Sequence, residues 1–183
     1  ADGAKALIDE LHSALDPKAY RKAVALLAES EFIDIFGVEN SLTPAMDLFT
    51  KLGYLGLTCR LNTDAYLQQI GAGHLPHGAV AVAFSHSGSS ADTVKALRLA
   101  KSHGAKTIAI TNAIGAPLAS WADVTLLTGR DSHTIYGNAI FSRVADTALV
   151  DMLYMGVILS GYGRFSTALD ESGRMIRDRV FEN

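Results

Sequence analysis

Five short apolar runs, each leading into a helical or turn pattern, constrain this chain more than any other feature of it. The runs are Phe32-Ile33-Asp34-Ile35-Phe36, Leu55 to Leu61, Ala79 to Phe84, Thr107 to Ile110, and Val124 to Leu127. Short apolar strands alternating with helices cannot close as hairpins. They pair in parallel and need both faces of the sheet covered. The expected fold is therefore α/β, a three-layer α/β/α sandwich around a five-stranded parallel sheet. Common doubly wound orders set strands one and three side by side where the winding reverses. Ligands of such sheets bind beyond the carboxyl ends of the strands at that reversal. The loops after strands one and three are thus the place to look for chemistry.

The helical segments follow from spacing and from stop signals. Leu7, Ile8, Leu11 and Leu15 predict a first helix over Ala4 to Leu15. Asp16-Pro17 ends it and starts the next, with Asp16 as N-cap and Pro17 at the first position, running to about Ser30. Further helices are expected over Thr43 to Leu52, Thr63 to Ile70, and Ser90 to His103, the last closed by Gly104. A turn of helix around Pro117 to Trp121, a long apolar helix over Ile135 to Ser160 and a final helix over Phe165 to Val180 complete the pattern. Residues 1–30 read as a helical connector and 31–183 as the sheet domain. In the long helix Arg143 and Asp146 stand three apart and can pair on one face. Beyond Ser142 its charges are only Arg143, Asp146 and Asp151, so it is expected to be buried on two sides. Either the leading helices cover the second side or a symmetric homodimer does, the dimer being preferred.

The loop after strand three carries the chemistry: Ser85-His86-Ser87-Gly88-Ser89-Ser90. Four serines and one glycine sit between a strand and a helix start. Unpaired amides and the helix dipole there favour an anion, the hydroxyls can donate to phosphate oxygens, and Gly88 permits a tight turn. Ser90 is the expected N-cap. An ordinary capped turn of small polar residues is the blander alternative. The loop after strand one, Gly37-Val38-Glu39-Asn40-Ser41, faces the same crevice. Ser41 can donate to a ligand, cap the helix near Pro44, or do both.

Composition narrows the partners. With 183 residues, 49% hydrophobic, and a net charge of −3, the chain is long enough for one core and has no basic stripe for nucleic acid. Arg174, Arg177 and Arg179 read as the solvated face of the last helix. The lone cysteine, Cys59, excludes an internal disulfide or a cysteine-cluster zinc site and fits a reduced cytoplasmic interior. The uncharged stretch Met152 to Gly163 is 12 residues long, short of the roughly 20 that cross a bilayer. His12, His74, His77 and His103 read as surface residues. No metal and no cofactor is expected. The first residue is Ala1 rather than Met, as in a processed chain or a fragment of a longer protein.

These residues resemble the sugar isomerase (SIS) domain family over about residues 20 to 160. Ser85 to Ser90 match its phosphosugar loop, and Gly37 to Ser41 its first binding loop. Ala109-Ile110-Thr111-Asn112 with Pro117-Leu118-Ala119 and Ala122-Asp123 match its fourth-strand region. Ser142-Arg143-Val144-Ala145 with Asp151-Met152-Leu153 is most similar to the effector domain of RpiR-type bacterial transcription regulators. The resemblance implies the SIS-type, flavodoxin-like strand order 2-1-3-4-5 and a phosphorylated sugar or amino-sugar ligand. It also implies a homodimer or tetramer, and DNA binding through a helix-turn-helix domain preceding this chain. The implied ligand residues are Ser41, Ser85, His86, Ser87, Gly88, Ser89 and Ser90, with Glu39 at the sugar end. Two positions depart from the family. Glu39 stands where a second glycine or small residue is usual. Arg130-Asp131-Ser132-His133 stands where many members carry a glutamate. The reading is a non-catalytic sensor. The alternative is an aldose–ketose isomerase with Glu39, His86 or His133 as base.

Overall fold

The computed structural model describes residues 2–130 and 143–177. Helices α1 (Asp2–Ala14) and α2 (Pro17–Glu29) lead into β1 (Ile33–Phe36). Then follow α3 (Leu42–Tyr54), β2 (Cys59–Leu61), α4 (Ala65–Ala72), β3 (Val80–Phe84), α5 (Ala91–Ser102), β4 (Lys106–Thr111) and β5 (Val124–Leu127). Two more helices, α6 (Arg143–Ser160) and α7 (Tyr162–Met175), close the described chain. The sheet order is β2-β1-β3-β4-β5 and every pairing is parallel. This is the expected order. Strands β1 and β3 are neighbours, with Ile33 opposite Val80 and Phe36 opposite Ala83, so their carboxyl ends lie level.

The alternation along each strand sorts the core into two layers. Val80, Val82 and Phe84 join Ile33, Ile35, Ile108 and Leu126 on one face, against Leu27 of α2, Leu48 of α3, Leu149 and Leu153 of α6, and Phe165 of α7. Ala81, Ala83 and Ala109 line the other face with Phe36, against Ala96, Leu97 and Ala100 of α5. Alanines there let α5 lie close to the sheet. Asp16 caps α2 as expected, its carboxylate accepting from Lys18 N at 2.9 Å. Gly104, at φ +87°, ends α5.

Several boundaries differ from the expectation. Strand two shortens from Leu55–Leu61 to Cys59–Leu61, because the chain is still turning out of α3: Leu55 N bonds back to Leu52 O, and Gly56 has φ +72°. Leu55 and Leu57 are buried in the core, so their apolarity reports packing rather than strand. Helix α4 starts at Ala65 because Asp64 caps it, accepting from Leu67 N at 2.9 Å. The last helix begins at Tyr162 instead of Phe165. The expected start of the long helix, residues 135–142, lies outside the described residues, as does the end of the last helix at Val180. Helices α1, α2 and α3 all pack on α6. The leading helices therefore take the second side of this apolar helix, leaving Met152, Met155 and Leu159 exposed along it. Arg143 Nη1 donates to Asp146 Oδ2 at 2.9 Å, as the spacing predicts.

One buried charge sits inside the sheet. Asp34 in β1 has a side chain only 1% exposed and takes both arms of Arg60 from β2, at 3.0 and 2.6 Å. A Cβ at Gly71 would lie 2.7 Å from the Arg60 guanidinium, so that glycine in α4 makes room for the pair. No single described helix is long and apolar enough to cross a membrane.

Candidate functional site

A crevice of about 450 Å³ opens above the adjacent carboxyl ends of β1 and β3. One wall is the first loop, with Val38, Glu39, Asn40 and Ser41. The other is the serine loop, with Ser85, His86, Ser87 and Ser90. Asp92 and Arg143 complete the lining. The two loops singled out by the strand argument thus meet at one site, because parallel neighbours deliver their following loops to the same edge.

The serine loop is held from beneath by the end of β4. Thr111 Oγ1 and Asn112 N both donate to His86 O, at 3.1 and 3.0 Å, and Leu118 N donates to Gly88 O at 2.9 Å. Gly88 N donates to Ser85 O at 2.9 Å, closing a tight turn in which Gly88 has φ +61°. A Cβ there would run into Ala116 Cβ and lie 2.8 Å from Thr111 Oγ1. Glycine is required on both counts.

The hydroxyls are set as donors. Ser87 Oγ accepts from Ser89 N at 3.2 Å, and Ser90 Oγ accepts from Thr93 Oγ1 at 3.3 Å. Ser87 then has its proton to offer outward, and the Ser90 hydroxyl can rotate to offer its own. Ser90 occupies the N-cap position of α5, yet its side chain makes no capping bond. Its hydroxyl is therefore not spent on the amides of the first turn, which point toward the crevice end of the helix with their partial positive charge. Ser85 is buried and lines the crevice floor, Ser87 is exposed, and His86 is half-buried. Ser89 turns its hydroxyl to Ser87 O at 3.3 Å and supports the loop from outside.

The first loop is fastened by a residue that sequence reading passed over. Gln68 of α4, 1% exposed, accepts from Gly37 N at 3.3 Å and donates to Gly37 O at 2.7 Å. The same amide nitrogen also donates to Asn62 O at 2.7 Å. The available signal was a polar residue on the inner face of a helix, in phase with Gly71 and Ala72. Ser41 is buried at the crevice and, like Ser90, makes no capping bond, so the capping role expected for it is absent. Glu39 is exposed at the rim with φ +51°, in the left-handed region.

Sequence reading also missed Arg143 as a crevice residue, placing it as the partner of Asp146 and within the stretch that resembles the regulators. Arg130 lies elsewhere, donating to Ser13 O of α1 at 3.2 Å. Asp131, Ser132 and His133 are outside the described residues. His12, His74, His77 and His103 are exposed, as expected. Arg174 and Arg177 are exposed too, and Arg179 is outside the described residues.

The sequence matches the SIS domain model over residues 26–156. The chain belongs to the SIS domain family. Among curated proteins, this SIS domain is 30% identical over 179 residues to an uncharacterized HTH-type transcriptional regulator of Caldanaerobacter subterraneus, covering 98% of the chain and 64% of that protein. It is 28% identical to the HTH-type regulator HexR of Escherichia coli, over 99% of the chain and 62% of HexR. With the regulator RpiR of the same organism it shares 24% identity over 92% of the chain and 54% of RpiR. The SIS domain thus spans about half to two thirds of the length of these relatives, and it is homologous to the SIS portions of RpiR-type regulators. Among solved structures it superposes on the Vibrio vulnificus NanR protein complexed with ManNAc-6P at a TM-score of 0.92. The identity there is 24%, with 99% of this chain and 68% of that chain covered. The sugar isomerase domain of an RpiR transcription factor from Sphaerobacter thermophilus gives a TM-score of 0.84 at 22% identity, over 94% and 95% of the two chains. These two likenesses establish a shared fold.

Proposed function

We propose that this SIS domain is the phosphosugar-sensing effector domain of a bacterial RpiR-type transcription regulator. A phosphorylated sugar or amino sugar enters the crevice, its phosphate meets Ser85, Ser87 and Ser90 at the start of α5, and its sugar end meets Ser41 and Glu39. The observation that carries this reading is the serine loop at the crevice, with Ser87 Oγ accepting from Ser89 N and Ser90 Oγ left out of helix capping, so that both hydroxyls can turn a proton to a ligand. The named relatives supply the regulatory half: they are HTH-type transcription regulators. NanR, which shares the fold, is described in complex with a sugar phosphate. On this reading a helix-turn-helix domain belongs to the same protein, α1 and α2 (within residues 1–30) act as the connector to it, the SIS domain (31–183) works as a homodimer or tetramer in the cytoplasm, and the crevice binds without catalysing. To switch DNA binding, the ligand must bind two arrangements of the protein with different affinity.

Calorimetry with a panel of phosphorylated aldoses, ketoses and amino sugars tests this. Ser87→Ala with Ser90→Ala removes two hydroxyl donors to a charged acceptor, each worth about 1.5–3 kcal/mol. The expected loss of affinity is about a hundredfold or more. Unchanged affinity removes the loop from binding. Rapid interconversion of an aldose and a ketose phosphate, abolished by His86→Ala or Glu39→Gln, would make the protein an isomerase instead.

A further inference from the structure

Arg143 is the cation among the described residues that line the crevice, and its bonding is incomplete. The side chain is 22% exposed, and Nη1 donates to Asp146 Oδ2 at 2.9 Å, where Asp146 is itself only 4% exposed. Its Nε is buried and has no hydrogen-bond partner among the described residues. A guanidinium keeps its charge and carries five N–H donors in a planar fork. Leaving one of them buried and unmet is costly. The two carboxylates that share the crevice do not fill that need. Among the described residues Arg143 forms its ion pair with Asp146, and Asp92 accepts instead from Gln69 Nε2 at 3.1 Å. Glu39 stands exposed at the rim. The Asp146 contact holds the guanidinium by one arm, so that its planar fork is already fixed at the crevice before any ligand arrives.

We infer that Arg143 is a ligand-contacting residue whose crevice-lining guanidinium, short of acceptors among the described residues, turns a donor to an oxygen of the anionic group bound by the serine loop, while its Nη1 stays on Asp146. This rests on the phosphosugar reading of the same crevice and adds to it the positive charge that the neutral serine loop lacks. It also gives α6 a direct hold on the ligand. That helix carries α2 through the bond from Tyr20 Oη to Met152 O at 2.6 Å.

The test is calorimetry with two probes, inorganic phosphate and N-acetylmannosamine 6-phosphate, at low and high salt. A charge-assisted contact makes the wild-type affinity fall as salt rises. Arg143→Gln alone strands the buried Asp146 carboxylate, so the informative variant is Arg143→Gln with Asp146→Asn, which keeps the shape and the internal hydrogen bond without charge. Its fold is checked by thermal unfolding. It is expected to bind both probes about tenfold or more weakly and to lose the salt dependence. Arg143→Lys, which keeps the charge but not the fork, is expected to bind at intermediate affinity with the salt dependence retained. Wild-type affinity and salt response in the double variant would overturn the inference. Run beside them, Ser87→Ala with Ser90→Ala separates the two levels. If it alone weakens binding, Arg143 is not a contact and the phosphosugar reading stands. If neither variant weakens binding, or the wild-type chain binds neither probe, that reading falls as well.

Discussion

At the scale of single residues, the site depends on which positions tolerate a left-handed backbone. Gly88 sits at φ +61° with no room for a methyl group toward Ala116 and Thr111. Gly88→Ala therefore combines a conformational penalty with overpacking, about 1–2 kcal/mol and 1–3 kcal/mol respectively. It should lower stability by about 2–5 kcal/mol in urea unfolding and displace the serine hydroxyls. An alanine variant with wild-type stability would mean that the loop readily takes another shape. Glu39 adopts a comparable angle, φ +51°, without being glycine. Its side chain is exposed, so the backbone strain is local and no packing opposes it. Both positions were marked in the sequence, one as a glycine in a polar turn and the other as a departure from the SIS pattern. The angle itself is a property of the folded loop.

Among elements, the junction of β4, β5 and α5 is held by one carboxylate. Asp123 accepts from Thr107 N at 2.9 Å, Thr107 Oγ1 at 3.0 Å and Lys101 Nζ at 2.8 Å. Burial pushes its pKa up, but these donors outweigh burial and hold it below the ordinary carboxylate value of 3.8. A depressed folded-state pKa means that the group stabilises the fold above the unfolded value and loses that contribution as pH falls through the folded value. Asp123→Asn should thus melt lower than wild type at pH 6, with the gap narrowing below about pH 4. A gap in melting temperature that stays constant from pH 6 to pH 3 would show that the Asp123 charge does not matter. The sequence marked Ala122-Asp123 only as a matching pair. Nothing in spacing connects it with Thr107, 16 positions away, until parallel pairing aligns Ile108 with Val124.

For the whole molecule, the question is how the leading helices are joined to the sheet domain. Helix α2 lies against α6 so closely that a Cβ on Gly156 would be 2.5 Å from Tyr20 Oη and 2.7 Å from Val24 Cγ2. Gly156→Ala gains about 1 kcal/mol of helix propensity. It must also push Tyr20 off Met152 O and move α2, an overpacking cost of about 1–3 kcal/mol. The net expectation is a loss of up to about 2 kcal/mol, read by urea unfolding, together with increased hydrogen exchange in α1 and α2. A stabilised variant with unchanged exchange would show that the two helices separate without penalty. The apolarity of α6 was visible in the sequence and was read mainly as a dimer face. The structure gives most of that surface to α1, α2 and α3, and the smaller exposed strip of Met152, Met155 and Leu159 is what remains for another chain.

The number of strands, their parallel sense and the polar make-up of the serine loop were determined by the sequence, because each depends on a local pattern: apolar runs of strand length, helical spacing between them, and small polar residues at a helix start. What only the tertiary structure decided are the meetings between distant residues. Gln68 clamps Gly37 across 31 positions, and Arg143 reaches the crevice from a helix that follows the last strand. Such contacts depend on how helices rotate and settle on the sheet to bury their apolar faces. That arrangement is a compromise among all the side chains of the core, and no short stretch of residues contains it.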